Sequence, residues 1–334
     1  MQQVFRLASL SHRKFLGQQV WLHKGVRTLI VVSPGLAVFL MTGNPLAVTF
    51  AFAALCLSVP YGDQNFRPAH LLCLAPLAAV FMVLAVWLQR HPILYVLVIA
   101  LVGAALVLIS RSATLPPRIT TWFLIYVLYQ SNELRSTGFQ AAIFAALLVA
   151  PAAAWTYVAC FWFWPHRGAP ESGGAGKGEQ MNAPLQALCA ALSTASAAAV
   201  AFACHLYHAN WAIWSAYTVI RPSRSVSLKR SAQRILGAVI GCSIGFLAIE
   251  TLRGIPVVLA VLTVLAVFLM VGFEKYALAV SVCSALAPLA AFALHYDPLE
   301  TAEARFLCIL IGVIIGTLFM LLFTSERLVK VYAP

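Results

Sequence analysis

The run RPSRSVSLKRSAQR, residues 221–234, places Arg221, Arg224, Lys229, Arg230 and Arg234 within fourteen positions. A guanidinium grips a carboxylate through two parallel hydrogen bonds, so closely spaced arginines suit an organic anion. Aromatic residues lie close by. Trp211, Trp214 and Tyr217 precede Arg221, and Arg118 precedes ITTWFLIYVLYQ (119–130), where Trp122, Tyr126 and Tyr129 recur at helical spacing. Rings on one helix face with an arginine at its end would hold an aromatic carboxylate. The same stripes also serve helix packing or an interfacial aromatic belt, and cations at helix ends also serve topology. Arg221, Arg224, Arg118, Trp122, Tyr126, Trp214 and Tyr217 are therefore the candidate binding residues, with Lys229 and Arg230 read mainly as anchors.

Other chemistry is thin. His205 and His208, an i, i+3 pair, and the later His295 could relay protons. No third ligand accompanies the pair in sequence, so no metal is expected. The eight cysteines lie in or beside apolar runs with no CxxC spacing, and buried cysteine acts mostly as a small hydrophobe. No P-loop is present, and the ten acidic residues are scattered where metal-dependent membrane enzymes need them clustered. Neither a cofactor nor an enzymatic reaction is expected. No carboxylate falls in mid-span, which leaves proton coupling to edge acids or to the histidines.

The solvent around these residues decides what they can do. Of 334 residues, 62% are hydrophobic and 10% charged, against about 25% charged in a soluble domain. The mean hydropathy is +0.90. Charge is absent from 28–62, 68–89, 91–110, 119–132, 136–166, 180–220, 235–249, 254–273, 276–296 and 306–325. A charge at the bilayer centre costs at least a few kcal/mol, about 3 on insertion scales, so these gaps mark where lipid lies. The gap 28–62 holds two helices around Gly43-Asn44-Pro45, and 180–220 holds two around His205–Asn210. The expected fold is an all-α polytopic membrane protein of about twelve transmembrane helices.

That division gives Arg221 two readings. If its span starts at Asn210, Arg221 comes eleven residues later, roughly 16 Å along the helix and about half the hydrocarbon thickness. There it needs a water-filled cavity or a partner. If the span starts nearer His205, Arg221 reaches the membrane surface and anchors. Gly237, Gly241 and Gly245, spaced four apart, and Gly312 with Gly316 leave bare patches for close helix packing.

With the N-terminus cytoplasmic and twelve alternating spans, only Arg90, Arg135, Arg253 and Arg305 fall outside; every other Lys and Arg, Arg27 and Arg234 included, collects inside. Both termini are then cytoplasmic, and the net charge of +12 serves anionic lipid headgroups rather than nucleic acid. The Gly/Pro-rich stretch 165–183 reads as a cytoplasmic linker. It separates two parallel six-helix repeats, 28–164 and 184–323. Residues 1–27 read as a basic, amphipathic segment with a short helix on the membrane surface, and 324–334 as a cytoplasmic tail.

The basic loop running into Arg234-Ile-Leu-Gly237-Ala-Val-Ile-Gly241, an R-x-x-G-x-x-x-G pattern, resembles the fusaric acid resistance superfamily. These inner-membrane proteins are related to the aromatic acid exporters and distantly to plant aluminium-activated malate transporters. The chain is similar to a short, two-repeat form without the large cytoplasmic domain common in that family. The resemblance implies a bacterial inner-membrane efflux permease subunit for small, often aromatic, organic acid anions, working with a periplasmic adaptor of the membrane-fusion type. A second copy of the chain is a further candidate partner. A passive anion channel, or a scaffold docking the adaptor, is the alternative.

Overall fold

The computed structural model describes residues 12–15, 18–59, 68–111, 121, 123–128, 138–163, 181–206, 208–273, 275–294 and 296–324. A hairpin of β1 (His12–Phe15) and β2 (Gln18–Trp21) pairs His12 with Trp21 and Phe15 with Gln18. The helices follow as α1 (Leu22–Thr42), α2 (Pro45–Ser58), α3 (Pro68–Leu88), α4 (Pro92–Arg111), α5 (Gly138–Phe163), α6 (Ala183–Ala203), α7 (Ala209–Val219), α8 (Arg224–Leu252), α9 (Pro256–Gly272), α10 (Tyr276–Ala293) and α11 (Pro298–Phe323). Residues 123–128 are also helical. Among the described residues, seven helices are long and apolar enough to cross a membrane: most of α1, α4, most of α5, α6, α8, α10 and α11. Three shorter apolar helices, Leu46–Ser58, Leu74–Leu88 and Pro256–Gly272, add to these.

The helix boundaries have local causes. Proline stands at or next to the first residue of α2, α3, α4, α6, α9 and α11, where its missing N–H costs no helical hydrogen bond. Asn44 caps α2 by accepting from the Leu46 N–H at 3.0 Å, after Gly43 turns the chain at φ 66°, a left-handed conformation suited to glycine. Asn182 caps α6 by accepting from Leu185 N–H at 2.9 Å. Asp297 caps α11 by accepting from the N–H groups of Leu299 and Glu300 at 2.8 and 3.2 Å.

Chain contacts group into two compact units. In the unit of 31–231 and 310–334, α2 and α3 pack on α5, α4 packs on α6, and α6 packs on α7. Leu88, Tyr95, Ile99, Leu124, Leu128, Ile213, Tyr217 and Met320 are among its core residues. The outward side of α4 is apolar too, with Leu94, Leu97, Leu101 and Leu108 exposed. A helix oily on its packed and its open face is one that lipid must cover. In the unit of 1–30 and 232–309, Ile249, Leu259 and Leu289 form a core and α9 packs on α10.

Arg13 and Lys14 sit on β1; positions 4–10, where a surface helix is expected, lie outside the described residues. One sequence expectation changes here. Arg27 and Arg234, grouped with the lipid-facing cations by the charge pattern, are 4% and 1% exposed and lie inside the protein.

One surface tie is testable on stability alone. Arg111, at the end of α4, donates through Nε to Gln186 Oε1 at 3.0 Å and through Nη2 to the Met181 carbonyl at 2.9 Å. Arg111→Ala is expected to lower stability by about 1 kcal/mol, the value of an ordinary charge-assisted tie that is partly exposed. Thermal unfolding of the detergent-solubilised protein checks it; no change would show the tie to be made as readily by water.

Candidate functional site

A short helix lies buried within its unit. α7 has 11 residues and measures roughly 16 Å. Buried residues cover nearly every face: Trp211, Ala212, Ile213, Ser215, Ala216, Tyr217, Thr218 and Val219. The helix starts at Ala209, next to Asn210, and Arg221 lies two residues beyond its end.

The small residues on α7 receive α11. A Cβ on Gly312 would meet the Ala212 carbonyl oxygen, and would stand 2.7 Å from Ser215 Cβ. One on Gly316 would stand 2.5 Å from Val219 Cγ2 and 2.7 Å from the Ala216 carbonyl oxygen. Two bare positions one turn apart let the backbones meet, which holds α7 despite its length.

Past Val219 the chain breaks. Ile220 is extended at ψ 116°, and α8 starts at Arg224. The Arg221 N–H donates to Ser227 Oγ at 2.9 Å, and the Pro222 carbonyl accepts from Met181 N–H at 2.8 Å. Ser223 and Ser225 hydroxyls pair at 3.0 Å, and Ser231 pairs with Thr317 of α11 at 2.8 Å. The break is thus tied to α8 and to the residues ahead of α6, and α8 in turn to α11. Arg221 is half-buried and Arg224 exposed, beside the first turn of α8, where the helix dipole's partial positive charge also favours an anion.

The aromatic candidates do not converge. Tyr217 is in the core cluster of the unit and Trp214 packs against it. Tyr126 is buried elsewhere, its ring stacked on Phe52 at 6.1 Å and its hydroxyl 3.7 Å from Met82 Sδ. From the same segment it is Phe123, Leu124 and Leu128 that join the cluster of Tyr217. Arg118, Trp122 and His295 lie outside the described residues. His205 and His208 share no helix face, since both fall between α6 and α7. His205 is exposed at φ 50°, and His208 is buried with its ring 4.0 Å from that of Trp211.

The glycines of α8 lie against α10. Gly237 approaches Val280 and the Ala277 carbonyl, Gly241 the Ser281 carbonyl, and Gly245 the Ala285 carbonyl and Pro288. One turn before Gly237, Arg234 is buried and its Nη1 donates to Tyr276 Oη at 2.7 Å. The R-x-x-G-x-x-x-G pattern therefore describes a helix crossing with a buried guanidinium at one end.

Residues 195–319 match a family model described as fusaric acid resistance protein-like. No curated protein and no solved structure matches the chain. The fusaric acid resistance protein-like region takes in the end of α6, all of α7 through α10 and most of α11. It thus includes the buried short helix, the broken junction after it, the glycine contacts of both units and Arg234. Arg221 and the glycines were legible in the sequence. The burial of Asn210 and Arg234 was not, although an Arg directly ahead of the charge-free run 235–249 was a signal for the second.

Proposed function

We propose that this protein is a bacterial inner-membrane permease that exports small organic, especially aromatic, acid anions, and that the junction between α7 and α8 is their cytoplasmic binding site. The observation that carries the reading is the position of Arg221, half-buried at the end of a buried helix too short to span a bilayer, with Arg224 and the first turn of α8 beside it. An arginine there offers a planar two-pronged donor, and the end of α8 adds N–H groups of the same sign. The family likeness of residues 195–319 supports a membrane transport role.

In this reading the chain has both termini in the cytoplasm and two parallel six-helix repeats, and it works with a periplasmic adaptor. Export needs no enzymatic step in this chain. In a cell that is negative inside, each unit of negative charge gains about 2.3 kcal/mol per 100 mV on leaving.

The test is efflux of a panel of aromatic acids from a deletion strain complemented with wild type, Arg221→Ala or Arg221→Lys. Alanine is expected to reduce efflux about tenfold or more, about 1.4 kcal/mol of lost binding, at an unchanged amount of inserted protein. Lysine should recover only part, because it lacks the paired donors. Full efflux from the alanine variant would reduce Arg221 to a topological anchor. Ohmic anion current in place of saturable, uphill flux would make the protein a channel.

A further inference from the structure

The other end of α7 is also unfinished. Its first turn has no side-chain cap. The N–H groups of Ala209 and Asn210 meet no acceptor among the described residues. Asn210 is 4% exposed, yet its Oδ1 is buried without a hydrogen bond, and its amide nitrogen makes none either. Side chains in the first turn of a helix lean back toward its N-terminus, so this amide points to the same space as the two free N–H groups. Buried His208 and Trp211, ring against ring at 4.0 Å, flank it.

Leaving a buried amide unsatisfied costs about 1–3 kcal/mol, and the same position could hold an apolar residue without that cost. The unfilled groups are donors apart from the amide oxygen. No hydrogen bond holds the amide, so a half-turn about its last side-chain bond presents the –NH2 group instead. Three donors at the positive end of a helix, with the stacked rings of His208 and Trp211 next to Asn210 in the chain, suit a singly charged carboxylate.

We propose that the N-terminal end of α7 binds a small carboxylate through the Ala209 and Asn210 N–H groups and the Asn210 amide, at the opposite end of the helix from Arg221. That this is the outer station of an export route rests on the function proposed above; that it binds a carboxylate does not. The two stations stand roughly 16 Å apart on one buried helix, and each is formed at a helix terminus.

The experiment uses the purified full chain in detergent, in the Arg221→Ala background so that the junction does not contribute. Benzoate is titrated against thermal unfolding and by calorimetry, with chloride at equal ionic strength as control. Benzoate should raise the unfolding temperature of the Arg221→Ala protein, and Asn210→Leu added to it should weaken benzoate binding at least tenfold. Asn210→Asp is the second variant: its charge favours the helix N-terminus and so keeps the fold, but it repels the ligand and should also abolish binding. The proposal is overturned if benzoate has no effect on the Arg221→Ala parent, if chloride matches benzoate, or if both Asn210 variants bind within twofold of it. Binding lost in the Asn210 variants together with no efflux by wild type would sink the export reading and leave this site standing.

Discussion

Gly312→Val should unseat α7 and cost about 3 kcal/mol or more, the upper end of what overpacking a tight contact does. The added Cβ would fall on the Ala212 carbonyl, and Ser215 Cβ stands 2.7 Å away. Neither is the far end of a flexible side chain, so a helix must move. The one that moves is α7, with 11 residues the shorter of the two. Gly312→Ala should show the same effect in weaker form. The control is Gly254→Ala, where a Cβ would meet nothing within 4 Å, and where a change within about 0.5 kcal/mol is expected. The measurement is the temperature at which the detergent-solubilised protein leaves its monodisperse peak. A Gly312→Val protein as stable as wild type would mean that α11 does not clasp α7.

Arg234→Ala is expected to cost about 2–4 kcal/mol, as for a large core truncation. The side chain is 1% exposed, the largest of the fully buried residues, and its Nη1 donates to Tyr276 Oη at 2.7 Å. Truncation leaves both a cavity beside the α8–α10 crossing and a tyrosine hydroxyl short of a donor. Tyr276→Phe should cost less, about 1–3 kcal/mol, because it removes only an acceptor from a buried cation. Arg234→Met, which fills much of the volume without charge, should fall closer to wild type than alanine does, since a buried cation is itself costly. On the same helix Arg224 is exposed, and Arg224→Ala should leave the unfolding temperature nearly unchanged. Equal losses at 224 and 234 would contradict the buried guanidinium.

These predictions turn on features that the sequence expressed unequally. The charge-free stretches determined the membrane class, because excluding ions from hydrocarbon is a cost each segment meets on its own. Local chemistry likewise determined the break at Gly43-Asn44-Pro45 and the boundary between α6 and α7, whereas the length of the helix ahead of Arg221 stayed open between two starts. Asparagine caps, proline at a helix start and an arginine after an apolar run act over a few residues, so they can be read in order along the chain.

Partners could not be read that way. The spacing of Gly237, Gly241 and Gly245 announced a bare face, and only the folded chain set that face on α10 while assigning Gly312 and Gly316 to α7. Trp122, Tyr126 and Tyr129 make one stripe on paper, yet Tyr126 turns to Phe52 and Met82. Arg27, Arg234 and Asn210 look like polar residues at span ends until packing buries them. Burial of a particular side chain depends on contacts distant in sequence, on which helices find each other and at what register. Hydropathy along one segment carries no term for that, so the solvent of this protein was written in its composition and its candidate sites only in its packing.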